Sequence, residues 1–108
     1  MNARKGFAKR LTQAREATGL TLAEAAVYAT QATNGGRRIS HSTIQRMEVG
    51  MIPEDKADPI IVAALARVYG RDIEALSADA ASRLVGLREL LVSQLRWIDE
   101  LADLARAS

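Results

Sequence analysis

The stretch Arg37-Arg38-Ile39-Ser40-His41-Ser42-Thr43-Ile44-Gln45-Arg46-Met47-Glu48-Val49-Gly50 gathers side chains that can do chemistry. Ser40 is a natural N-cap and Gly50 a natural stop, so a short helix over about 40–48 is expected. Its apolar residues are Ile44 and Met47, three apart, too few for a helix meant for the core. A merely solvated helix would carry more Glu and Lys. The other positions can nearly all donate or accept hydrogen bonds. Catalysis is a poor use for them. His41 is the single histidine, cysteine is absent, and no Ser/Asp arrangement completes a nucleophile and base. No Gly-rich phosphate loop follows a strand either, so neither an enzyme, a metal site nor a cofactor is implied.

Charge narrows the alternatives. Residues 1–50 hold eight Lys/Arg (Arg4, Lys5, Lys9, Arg10, Arg15, Arg37, Arg38, Arg46) against three Glu, a net +5. Residues 51–108 hold seven basic and ten acidic side chains, a net −3. A basic first half suits a polyanion, and an acidic second half would stay away from one. No apolar run nears the ~18 residues of a membrane span and no signal-peptide core is visible, so a soluble cytoplasmic chain is expected.

The elements that must position these residues are helical. Alanine and leucine dominate, aromatics are scarce, and Val/Ile/Thr runs are few. Phe7, Leu11, Ala14 and Thr18 form one stripe of a helix over about 4–18 that Gly19 ends. Thr21-Leu22-Ala23-Glu24 has capping-box form and opens a second helix, which stops before Asn34-Gly35-Gly36. Residues 51–57 read as a polar loop. Asp58-Pro59 starts a fourth helix with Ile60/Ile61, Ala64, Leu65 and Val68 on one side, ending at Gly70. A turn of helix follows over 72–76. From about 78 to 107, Leu84, Leu87, Leu91, Leu95, Ile98, Ala102 and Ala105 recur at spacings of three and four, a long amphipathic helix.

Two short helices and a turn, the second helix polar and basic, resemble a helix-turn-helix. The ordered set Arg15…Gly19-Leu20-Thr21-Leu22-Ala23-Glu24-Ala25-Ala26, Ile39-Ser40-x-x-Thr43-Ile44-x-x-Met47-Glu48-x-Gly50, then Ile61…Leu65-Ala66-x-x-Tyr69-Gly70-x-x-Ile73-x-x-Leu76 resembles the lambda-repressor-like (Xre-type) DNA-binding domain over residues 5–77. The resemblance implies an all-α fold, with five helices over residues 1–77 and the amphipathic helix of 78–108 appended. It implies double-stranded DNA as partner and the third helix as the one that enters the major groove. His41, Ser42, Gln45 and Arg46 then match base-reading positions. Arg10, Thr21, Arg37, Arg38, Ser40 and Thr43 are candidates for the phosphate backbone. Arg15 and Glu48 match a structural ion pair that braces the first helix against the third.

Two departures stand out. Leu22 occupies a position that is usually polar in the family. The stretch between the second and third helices carries extra residues through Thr33–Arg38, which read as a flexible basic loop. The last helix lies beyond the resemblance. Leu84, Leu87, Leu91, Leu95, Trp97, Ile98 and Leu101 either pair it with a second chain or dock it on its own domain. The functional expectation is a transcription regulator, most simply a phage or bacterial repressor. The alternative is an antitoxin or other protein-binding module whose last helix engages a partner protein.

Overall fold

The computed structural model describes residues 3–107, with side chains from residue 6 onward. The side chains of Arg4 and Lys5, expected to add charge around the first helix, lie outside the described residues. Among the described residues six α-helices follow one another: α1 (Ala3–Thr18), α2 (Leu22–Ala32), α3 (His41–Glu48), α4 (Pro59–Tyr69), α5 (Ile73–Leu76) and α6 (Ala78–Ala107). One 3-10 turn, Glu54–Lys56, sits within the segment that reads as a polar loop from sequence.

Local chemistry sets these boundaries. The Thr21 hydroxyl accepts from the Glu24 amide while the Glu24 carboxylate accepts from the Thr21 amide, at 3.1 and 3.0 Å. Both orphan donors at the start of α2 are thereby satisfied. The same two bonds hold the Glu24 carboxyl below its ordinary pKa. The Asp58 side chain accepts from the Ile60 amide at 2.9 Å, and Pro59 occupies the first turn of α4. Gly70 closes α4 in the left-handed region, φ 66°, where an L side chain would be strained.

The core lies where α1, α2, α3 and α4 converge. Phe7, Leu11, Ile44, Val62 and Leu65 are fully buried, with Met47 and Leu76 close to it. Small residues of α2 (Ala25, Ala26, Ala29) allow close approach by α4. Thr18, expected at the end of the α1 stripe, is exposed and its hydroxyl donates back to the Arg15 carbonyl. The buried face of α4 also differs from expectation. Val62, Leu65, Ala66 and Tyr69 point inward with Ala64, whereas Ile60, Ile61 and Val68 are only half-buried. The run Ile60-Ile61-Val62-Ala63-Ala64-Leu65 is apolar on every side, so periodicity leaves its phase open.

Ser77 roots α6. Its buried hydroxyl accepts from the Ala80 amide at 2.9 Å and donates to the Glu54 carboxylate. Arg83 donates to the carbonyls of Glu54 and Ala57, both at 2.8 Å, and to Asp79 one turn back. Beyond Leu87 every described residue of α6 is exposed. The helix therefore leaves the domain as an arm. The extents are 58 × 29 × 21 Å and the radius of gyration is 16.7 Å, against about 13 Å for a compact chain of this length.

Candidate nucleic-acid interface

Helix α3 is held by one face and free on the others. Ile44 and Met47 are buried under it, against α1 and α2. The Ser40 hydroxyl caps the helix, accepting from the Thr43 amide at 3.2 Å and lying 3.1 Å from the Thr43 hydroxyl. His41 and Gln45, one turn apart, are exposed, as is Arg46, while Ser42 is half-buried one turn before it. Among the described residues, none of these four side chains spends its hydrogen-bonding capacity inside the molecule. An outward row of a histidine, a hydroxyl, an amide and a guanidinium is thus left for an external surface. Thr43 is half-buried and tied to Ser40.

The ends of α2 and α3 add backbone and hydroxyl donors. Thr21 is exposed, and because its oxygen accepts from Glu24, its own proton remains to donate outward. Leu22 is half-buried and packs against the core, so the apolar residue at this position has a structural use.

The segment 33–38, expected to be flexible, is laced by hydrogen bonds. The Thr30 hydroxyl accepts from the Ile39 amide at 3.0 Å and donates to the Ala26 carbonyl at 2.8 Å. The Thr33 hydroxyl donates to the Thr30 carbonyl and accepts from the Arg37 amide at 3.1 Å. Asn34 and Gly35 turn the chain with φ of 53° and 80°. Thr30 and Thr33 were not among the sequence-derived candidates. Their spacing at the end of α2 is a weak cue, because a hydroxyl there commonly bonds back to its own helix.

The candidate phosphate cations behave differently from one another. Arg10 turns inward: its Nε donates to the Leu76 carbonyl at 2.8 Å, and Nη2 lies 3.4 Å from Glu54. A phosphate would have to compete with these partners, since the bare carbonyl ending α5 needs a donor and Arg10 supplies it. Arg37 is half-exposed and paired with Asp58 at 3.0 Å, so a phosphate would have to compete with that carboxylate. Arg38 is exposed and makes no ion pair or hydrogen bond among the described residues. It lines an open cleft of about 550 Å³ with Gln31, Ile39, Ser40 and His41, between α2 and the start of α3.

Arg15 and Glu48 form a bidentate pair between α1 and the end of α3, with Nε–Oε2 at 2.8 Å and Nη2–Oε1 at 2.9 Å. Arg15 also donates to the Leu20 carbonyl, and the Thr12 hydroxyl lies 3.2 Å from Glu48. The Glu48 hydrogen bond raises the guanidinium pKa further above its already high value, outweighing burial. Both side chains are largely buried. The pair fixes the tilt of α3 and hence the direction in which Gln45 and Arg46 face.

Two helices packed around an apolar pair, with a capped, outward-facing second helix, match a known pattern in sequence as well. The family model for a helix-turn-helix domain matches residues 7–80. The chain belongs to this helix-turn-helix family. The match runs from α1 through the first turn of α6, so it includes Ser77 and stops before the exposed arm. Neither curated proteins nor solved structures give a match to the chain. Among the described residues of this helix-turn-helix protein, no helix is long and apolar enough to cross a membrane.

Proposed function

We propose that this helix-turn-helix protein is a sequence-specific, double-stranded-DNA-binding transcription regulator of the lambda-repressor-like kind, most simply a repressor that acts by occupying its site. One observation carries the reading above all. Helix α3 is anchored through Ile44 and Met47, and it leaves His41, Gln45 and Arg46 exposed with no internal partner. The net +5 of residues 1–50 supplies the attraction that brings this face to a polyanion.

In this reading α3 lies in the major groove and its N-terminal residues face the base edges. The Gln45 amide pairs with the N6/N7 edge of adenine, and Arg46 with the O6/N7 edge of guanine. His41 and Ser42 contact bases at the leading turn. The free proton of Thr21, the Ser40 hydroxyl and the charge of Arg38 hold phosphates, which set register without reading sequence.

Selection of bound sequences from a random duplex pool tests this, at about 150 mM salt so that non-specific phosphate binding is suppressed. Enrichment of a defined site is expected, with Gln45→Ala relaxing it at one base pair. A pool that returns unenriched, with binding that vanishes uniformly as salt rises, would remove the specific-regulator reading.

A further inference from the structure

The two adjacent arginines of the turn between α2 and α3 are used in different ways. Arg37 spends its guanidinium inside the molecule. Its Nε donates to Asp58 Oδ2 at 3.0 Å and its Nη1 to the Gly36 carbonyl at 3.2 Å. Arg38 is exposed and has no ion pair or hydrogen bond among the described residues. Asp58 in turn divides its two oxygens. Oδ1 caps α4 by accepting from the Ile60 amide at 2.9 Å, and Oδ2 takes Arg37. The side chains of the pair are 45% and 34% exposed, and a pair that open to water adds little to global stability. Its effect is local, because it closes the turn onto α4.

Arg38 lies between two pinned residues. On one side the Arg37 amide donates to the Thr33 hydroxyl at 3.1 Å, and the Arg37 side chain is held by Asp58. On the other the Ile39 amide donates to the Thr30 hydroxyl at 3.0 Å, and the Ile39 side chain is buried. Thr30 and Thr33 belong to the last turn and cap of α2, so their bonds hold the turn to one helix. The Arg37–Asp58 pair ties it to a second. A backbone fixed on both sides presents Arg38 and, two residues on, the Ser40 cap of α3 in one conformation. Little of the cost of ordering this turn is then left to the moment of binding.

We propose that Arg37 is a positioning residue: its pair with Asp58 holds the backbone that presents Arg38 to a DNA phosphate, and Arg37 makes no phosphate contact of its own. The proposal rests on the DNA-binding reading above and assigns a part within it. The rival is that DNA draws Arg37 away from Asp58 to a second phosphate. The two make opposite demands on Asp58. If Asp58 is the anchor, neutralising it weakens binding, although a negative charge beside a polyanion has been removed. If Asp58 is only a competitor, neutralising it frees Arg37 and tightens binding.

Asp58→Asn separates them. Asparagine caps a helix as well as aspartate does, so α4 keeps its start, and a thermal melt checks this. The full chain and its variants Asp58→Asn, Arg37→Gln, Arg38→Ala and Arg37→Gln/Arg38→Ala are titrated against an arbitrary duplex at about 50 mM salt, where binding to phosphates alone is measurable. Asp58→Asn and Arg37→Gln should each lose roughly fivefold in affinity. The double variant should bind about as well as Arg38→Ala alone, because Arg37 acts through Arg38. A role in fold stability would not couple the two arginines in this way. Tighter or unchanged binding by Asp58→Asn overturns the proposal, and so do losses that add in the double variant. Amide exchange without DNA gives an independent arm. The Arg37 and Ile39 amides should exchange faster in Asp58→Asn than in the wild type, and unchanged exchange also overturns the anchor. A wild type that binds duplexes but enriches no site fails the specific-regulator reading alone, since phosphates carry no sequence.

Discussion

Tyr69 is buried at the end of α4, and its hydroxyl has no hydrogen-bond partner among the described residues. An orphaned buried hydroxyl carries a desolvation penalty of about 1–3 kcal/mol, so Tyr69→Phe should leave the melting temperature unchanged or raise it. Burial, with the nearby Glu48 carboxylate, pushes the phenol pKa well above its ordinary value, and Arg15 opposes this more weakly. The neutral phenol is thus favoured in the folded state. Its contribution to stability is complete below the unfolded pKa of about 10 and is lost as pH rises beyond it. Phenolate absorbance from Tyr69 should appear only together with unfolding, and Tyr69→Phe should flatten the alkaline fall in stability. Arg15→Ala works in the other direction. It strands Glu48, whose side chain is 7% exposed, at a cost of about 3 kcal/mol. A thermal melt within a degree or two of wild type would show that Thr12 alone suffices for Glu48. On the proposed DNA surface Arg38→Ala should reduce affinity alike for all sequences and shallow the salt slope by about one. Arg37→Ala should do less to the slope, because Asp58 already holds that guanidinium.

Ser77 joins two elements, capping α6 and donating to Glu54. Ser77→Ala removes the cap and leaves Arg10 as the one side-chain partner, among the described residues, of the half-buried Glu54 carboxylate. The expected loss is about 1–2 kcal/mol, with faster amide exchange in the first turns of α6 than in α2 or α4. Uniform exchange across the three helices would mean that Arg83 carries the root by itself. At this scale the chain is largely readable from its own residues. Thr21, Ser40 and Asp58-Pro59 start helices, and Gly19 and Gly70 end them, through bonds and backbone angles that span only a few positions. The phase of α4 is unreadable because its sequence is apolar all round. The order in 33–38 is hidden for another reason: Thr30 reaches nine positions along to Ile39. Arg10 is the extreme case. Its carbonyl partner lies 66 residues away, so a basic side chain on a solvated helix and an internal strut look the same in sequence. The residues of α3 escape this difficulty, because their mixture of polar types on a helix with two apolar anchors already argues that they face outward.

The whole molecule is a small domain carrying a long arm, and pairing of that arm with a second chain would set how many copies of α3 one particle holds. Two copies joined through their α6 helices would carry two copies of α3 related by a two-fold axis, and such a particle would read an inverted repeat. The Ser77 and Arg83 bonds tie the root of each arm to its domain, so the separation of the two α3 helices in such a pair would be fixed by the seam rather than by a flexible linker. The best site should then have one preferred half-site spacing, and lengthening the spacer by half a helical turn of DNA should cost nearly all the benefit of the second half-site. Leu91→Lys/Ile98→Lys supplies the counterpart on the protein side. It lies far from α3 and leaves the core untouched, so binding to an isolated half-site should match wild type. Affinity for the inverted repeat should fall to that half-site value, losing a gain of some hundredfold or more that linkage of two sites provides. Titration of both proteins against both duplexes measures this directly. Equal binding of the variant and the wild type to the repeat would mean that each domain reads its half-site alone, and that the arm serves something other than the operator.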